Sequence, residues 1–123
     1  SALQVTQEPS EMQVTAGDRV VLQCQVEVAE PWDLLRVDWV QDGAHGVLCT
    51  NRWNHSTLTP PPCCTSDLCT AWHPDGATLS LLRVREDHAG HYLCKVTVEI
   101  PHLVMATSNG TTLSVTPAAT VTP

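Results

Sequence analysis

The sequence predicts an all-β fold, a sandwich of two packed sheets, and three observations predict it. Apolar and polar residues alternate in run after run, the period of two that sets one strand face on a core and the other in water. Turn residues break these runs at short intervals, as at Ala16-Gly17-Asp18, Gln41-Asp42-Gly43 and Asp75-Gly76. No stretch carries a helical stripe, and nine prolines oppose one.

The runs justify the strands one by one. In "DRVVLQCQV", Val20, Leu22, Cys24 and Val26 share a face, with Arg19, Gln23 and Gln25 mainly on the other. In "LLRVDWV", Leu35, Val37 and Trp39 alternate with Arg36 and Asp38. "ATLSLLRV" and "TTLSV" behave similarly, and in "GHYLCKVTV" Tyr92, Cys94, Val96 and Val98 line one side. The stretch from Thr50 to Pro74 is the exception. Its "TPPPCCTSDLC" holds three consecutive prolines, which cannot donate to a ladder, so an edge or loop anchored by disulfides is expected there.

Cys24, Trp39 and Cys94 fix the kind of sandwich. Two inward-facing cysteines bracket an inward-facing tryptophan, which packs on the inter-sheet disulfide in an immunoglobulin domain. In "EDHAGHYLC", Tyr92 stands two residues before Cys94, placed to return its hydroxyl to upstream backbone, and Asp87, Ala89 and Gly90 complete the turn. A Cys24–Cys94 separation of 70 favours the V-type set, with room for C′ and C″ strands. The expectation is a V-type immunoglobulin β-sandwich over residues 1–117, with a Thr/Pro/Ala-rich stalk starting at 118–123. One element is missing. V-type domains commonly carry an arginine near the start of strand D that pairs with the turn's aspartate, and Arg52 lies too early for it. Disulfide constraint in the C′–D region is expected to take over from that edge ion pair, itself worth ~1 kcal/mol.

Composition narrows the function. Only six Lys and Arg against 13 Asp and Glu, a net charge of −7, disfavour a nucleic-acid partner or an anionic membrane surface. Six cysteines and two glycosylation sequons, at Asn54 and Asn109, point to an oxidising compartment and a secreted or cell-surface setting. No signal peptide and no apolar run of spanning length is present. The expected location is the extracellular part of a single-pass type I membrane protein, touching the membrane only through a segment beyond this sequence.

Four cysteines remain: Cys49, Cys63, Cys64 and Cys69, with three possible pairings. An adjacent Cys63–Cys64 bridge is disfavoured by strain. Cys49–Cys64 with Cys63–Cys69 is the preferred expectation, because neighbouring residues in extended chain point opposite ways; Cys49–Cys63 with Cys64–Cys69 is its near competitor. A thiolate metal site is the other reading, and an oxidising compartment argues against it. No metal and no cofactor is expected.

The chain ends its strand pattern with "CKVTVEIPHLVMATSNGTTLSV": a Cys-Lys-Val-x-Val strand, a proline-containing loop, then Asn-Gly-Thr leading into strand G. This resembles the T-cell costimulatory receptors and the related natural cytotoxicity receptors, single V-type domains on stalks. "CQVEVAEPWDLLRVDWVQDGAHGVLC" and "HAGHYLC" extend the likeness over most of strands B to G. Cys63, Cys69 and "TPPPC" depart from it. The resemblance implies a second disulfide from the Cys49 strand to the loop before strand D. It also implies a cell-surface receptor of T cells or natural killer cells in adaptive immunity, binding an immunoglobulin-superfamily counter-ligand.

Binding residues follow. The loop between strands F and G sits where variable-domain loops cluster, and the resemblance carries ligand contact onto Glu99, Ile100, Pro101, His102 and Leu103. Val104 and Met105 join them on chemistry alone, methionine adapting to irregular partner surfaces. Arg52 and Trp53 on the neighbouring C′ edge are added as interface-type residues. The competing expectation has Leu103, Val104 and Met105 capping the core. Trp32 and Trp72 read as core or cover, and the scattered histidines as turn and surface residues rather than a pH switch. No nucleophile elbow or paired-carboxylate arrangement is present, so catalysis is not expected. Adhesion by homophilic or heterophilic contact, a homodimer, and a soluble decoy domain remain as alternatives.

Overall fold

The computed structural model describes residues 3–43, 46–54, 63–73 and 76–119. Their strands are β1 (Leu3–Gln7), β2 (Glu11–Thr15), β3 (Val20–Val28), β4 (Leu34–Asp42), β5 (Gly46–Asn54), β6 (Leu68–His73), β7 (Gly76–Leu81), β8 (Gly90–Ile100), β9 (Val104–Thr107) and β10 (Thr111–Thr116). One sheet runs β1-β3-β7-β6. The other, here the front sheet, runs β2-β10-β8-β4-β5, with β9 also paired to β8. Every pairing is antiparallel except β2 with β10. The fold is thus the all-β two-sheet sandwich the alternation predicts. The extra strand expected after β4 is β5; a C″ strand would fall in 55–62, outside the described residues.

The inward faces fill one core. Val20, Leu22 and Cys24 of β3 meet Leu35, Val37 and Trp39 of β4, with Leu79 and Leu81 of β7 and Tyr92, Cys94 and Val96 of β8, all buried. Cys24 and Cys94 join the two sheets, their Cα atoms 6.6 Å apart. Trp39 is the cross-strand partner of Cys94, so the ladder itself holds the indole against the disulfide. The Tyr92 hydroxyl donates to the carbonyl of His88, in the 3₁₀ turn Glu86–His88 that feeds β8.

β9 and β10 share the partner β8, and Ser108-Asn109-Gly110 leaves the ladder between them. Side chains repair the break. Ser108 N donates to the Cys94 carbonyl (3.0 Å) and its hydroxyl accepts from Cys94 N (3.1 Å). Gln7 reaches in from β1, donating to Tyr92 O and Thr111 Oγ1 and accepting from Ser108 Oγ at 2.6 Å. Gly110 has φ +84°, and a Cβ there would lie 2.7 Å from the Tyr92 carbonyl, so glycine is required.

The disulfide pairing corrects the preferred expectation. Cys49 pairs with Cys63 and Cys64 with Cys69, not Cys49 with Cys64 and Cys63 with Cys69. Adjacent cysteines do point opposite ways, but the register of the turn decides which goes where. Thr65 N donates to Leu68 O (2.8 Å) and Thr70 N to Cys63 O (2.9 Å), which sets Cys64 directly opposite Cys69. Cys63 is left facing Cys49, and their bridge staples edge strand β5 of one sheet to the segment leading into β6, the edge of the other.

The missing arginine is also explained. Arg85, before the 3₁₀ turn, bonds Asp67 ahead of β6 at 2.8 Å and Asp87 at 3.0 Å. The edge ion pair therefore exists with its charges exchanged: acid at the start of β6, arginine on the turn. The extra disulfides supplement it rather than replace it.

Candidate functional site

β8 rises from the 3₁₀ turn to the opposite end of the sandwich and turns back into β9 through Pro101, His102 and Leu103. The register sets which side chains of this hairpin face out. Thr97 pairs with Met105 on the outer face, while Val98 pairs with Val104 on the inner one. Met105 is 54% exposed on the outer face, and beyond the paired rungs Ile100 and Leu103 are 49% and 66% exposed, with Pro101 and His102 exposed between them. Val104 is a correction to the expected contact set, since it is half-buried and packs on the core. The core-capping alternative thus applies to that residue and not to its neighbours.

Beside the tip, the outer face of the front sheet carries ordered charge. Arg52 Nε lies 3.1 Å from Glu99 Oε1, and Arg36 Nη1 lies 4.0 Å from Glu99 Oε2. Arg36 Nε sits 3.3 Å from Asp38 Oδ2, while the Thr50 hydroxyl donates to Asp38 Oδ1 at 2.6 Å. The cross-strand pairing of Arg36 with Arg52 and with Thr97 brings three strands into this row. Glu99 gains its place from a register shift between Leu34 and Leu35, which lets β8 carry an extra residue there. Arg36 and Asp38 were not among the expected site residues. Their signal was present in "LLRVDWV", where the polar positions of a central strand are both charged.

Trp53 is the second correction. It pairs with Leu35 on the inner face, is 5% exposed, and stacks on Trp72 with ring centroids 4.6 Å apart. Arg52 and Trp53 are consecutive strand residues and so face opposite sides. Arg52 faces outward on the front sheet and Trp53 belongs to the core. Asn54 falls two residues beyond Arg52 at the end of β5 and is exposed, as is Asn109 in the break before β10. At the hairpin's inner flank, Pro101, His102 and Val104 border a shallow cleft with Leu3, Val28, Glu30 and Pro31. The first strand therefore begins beside the tip.

Among the described residues no cluster of His, Cys, Asp or Glu is arranged to hold a metal ion, and all six cysteines are in disulfides. The described residues thus bring an exposed apolar tip next to a row of paired charges.

The family model of the immunoglobulin domain matches residues 4–97. The chain belongs to that family. A comparison with curated proteins gave no match. The matched span ends inside β8, before the exposed tip. Immunoglobulin domains are commonly extracellular, typically serve protein recognition and typically do no catalysis. No helix among the described residues is long and apolar enough to cross a membrane.

Proposed function

We propose that this immunoglobulin domain is the ectodomain of a cell-surface immune receptor of the costimulatory or co-signalling type. It binds a protein counter-ligand of the immunoglobulin superfamily on another cell through the β8–β9 tip and the adjoining front sheet. The observation that carries this reading is the exposure of Ile100, Leu103 and Met105 around Pro101. Large apolar side chains cost solvation when left in water, and a short proline-containing hairpin loses little conformational entropy on docking. The ion-paired Arg52, Arg36 and Glu99 form the polar rim that orients a partner. The likeness of "CKVTVEIPHLVMATSNGTTLSV" to costimulatory receptors supplies the receptor class. In this reading residues 1–117 are the recognition unit, 118–123 begin a stalk, and signalling passes to a cytoplasmic tail.

The test is surface-plasmon binding to a panel of immunoglobulin-superfamily costimulatory ligands, comparing the domain with an Ile100→Asp/Leu103→Asp variant, both checked by thermal melts. The expected result is one ligand bound by the wild type and lost by the folded variant. Binding unchanged in that variant, or concentration-dependent self-association with no ligand bound, overturns the heterophilic reading.

A further inference from the structure

The three disulfides stand in unlike surroundings. Cys24 and Cys94 are fully buried, and Cys49 is 4% exposed behind half-buried Cys63. Cys64 is exposed, and its partner Cys69 is half-buried on the edge strand β6. Thiol–disulfide exchange requires a thiolate to reach a sulfur, so access alone separates this bridge from the other two.

Its structural duty is also the smallest. Cys64–Cys69 spans a sequence separation of 5, against 14 for Cys49–Cys63 and 70 for Cys24–Cys94, and closure entropy grows with loop length. The turn it closes is held by other means. Besides the two backbone bonds that flank the pair, Thr65 Oγ1 accepts from Asp67 N and Leu68 N, both at 3.2 Å. Asp67 O accepts from Leu82 N at 2.9 Å, and the Asp67 carboxylate is held by Arg85 at 2.8 Å. Opening the bridge thus leaves the turn anchored to β6, β7 and the 3₁₀ turn.

We propose that Cys64–Cys69 is a thiol-exchange site, opened by a dithiol reductant while the immunoglobulin domain stays folded. The reductant's first thiolate attacks Cys64 Sγ, the S–S bond breaks, and Cys69 leaves as a thiolate that takes up a proton. The reductant's second thiol, as thiolate, then attacks its own sulfur in the mixed disulfide and releases Cys64 as a thiol. The dithiol is oxidised to a disulfide, and the protein gains two thiols.

The test is differential alkylation of the native protein. Dithiothreitol is titrated at neutral pH, free thiols are trapped with N-ethylmaleimide, and labelled peptides are mapped while near-ultraviolet circular dichroism follows the fold. A parallel arm uses reduced thioredoxin. Cys64 and Cys69 are expected to label at roughly tenfold lower reductant than Cys49 and Cys63, with the dichroism unchanged. Labelling by both reductants extends the site to protein dithiols, and labelling by dithiothreitol alone confines it to small ones. Equal or earlier labelling of Cys49 and Cys63, or labelling only as the fold is lost, overturns the proposal. A Cys64→Ser/Cys69→Ser variant is expected to fold and to lose the first labelling wave; its failure to fold also overturns the proposal. None of these outcomes depends on whether the β8–β9 tip binds a ligand.

Discussion

Tyr92 is the chain's sole tyrosine, so its titration can be read without interference. Burial, aided by the negative charge of Asp87, pushes its phenol from 10.0 up to about 12. Folding therefore favours the protonated phenol, and this contribution to stability is complete below pH 10 and is lost as the pH rises to about 12. Phenolate absorbance should show a midpoint near 12 in the folded protein; an ordinary midpoint would place the ring in solvent. Arg85 gives the acidic counterpart. Its hydrogen bonds hold the carboxyls of Asp67 and Asp87 below their ordinary 3.8. An Arg85→Gln variant should be less stable than wild type at neutral pH. That gap should close as the pH falls below 3.8 through the lowered values, in denaturant melts read by tryptophan fluorescence. Gly110→Ala keeps the Asn109 sequon but forces a Cβ against the Tyr92 carbonyl at a positive φ. It should cost about 1–3 kcal/mol in the same melts.

At the scale of elements, strand alternation divides the candidate site. Trp53→Ala empties an inner-face position stacked on Trp72 and should cost about 3–5 kcal/mol by chemical denaturation. Leu103→Asp, at the exposed tip, should stay within about 0.5 kcal/mol of wild type. Reversal of that order would assign the tip to the core. The same alternation explains what the sequence made legible. Cys24, Trp39, Tyr92 and Cys94 could be placed because each depends on its own strand's period and on short spacings around it. Arg52 beside Trp53 was equally decidable, since two consecutive strand residues cannot both face a partner. The Cys64–Cys69 pairing was not, because it rests on where one turn begins, and nothing in "CCTSDLC" sets that register before the bonds around Thr65 form. The Arg85–Asp67 pair escaped because its residues are 18 apart and meet only once β6 and the 3₁₀ turn share an edge. Glu99 was named through the resemblance alone, and its contact with Arg36 depends on a register shift that no local pattern announces.

For the whole molecule, the inter-sheet disulfide and the Cys49–Cys63 staple tie the sandwich at different places, one through the core and one along the side. Removing the staple as Cys49→Ala/Cys63→Ala should destabilise the domain by roughly 3 kcal/mol, from the closure entropy of its loop, measurable by denaturant unfolding. A loss near zero would mean that the β5–β6 edge is already held by Trp53, Trp72 and the Asp67–Arg85 contact. The two ends of the sandwich differ in what they gather. Leu3 opens β1 beside Pro101 and His102, while Pro117 and Ala118 leave next to Gly17 and Arg85 at the far end of β8, about 30 Å away. That polarity is an instruction for handling the protein. A chip, bead or fluorescent reporter coupled after Ala118 leaves the hairpin pointing into solution. The same cargo fused ahead of Leu3 would sit over the hairpin like a lid, and a silent sensor built that way would report the attachment chemistry instead of the domain.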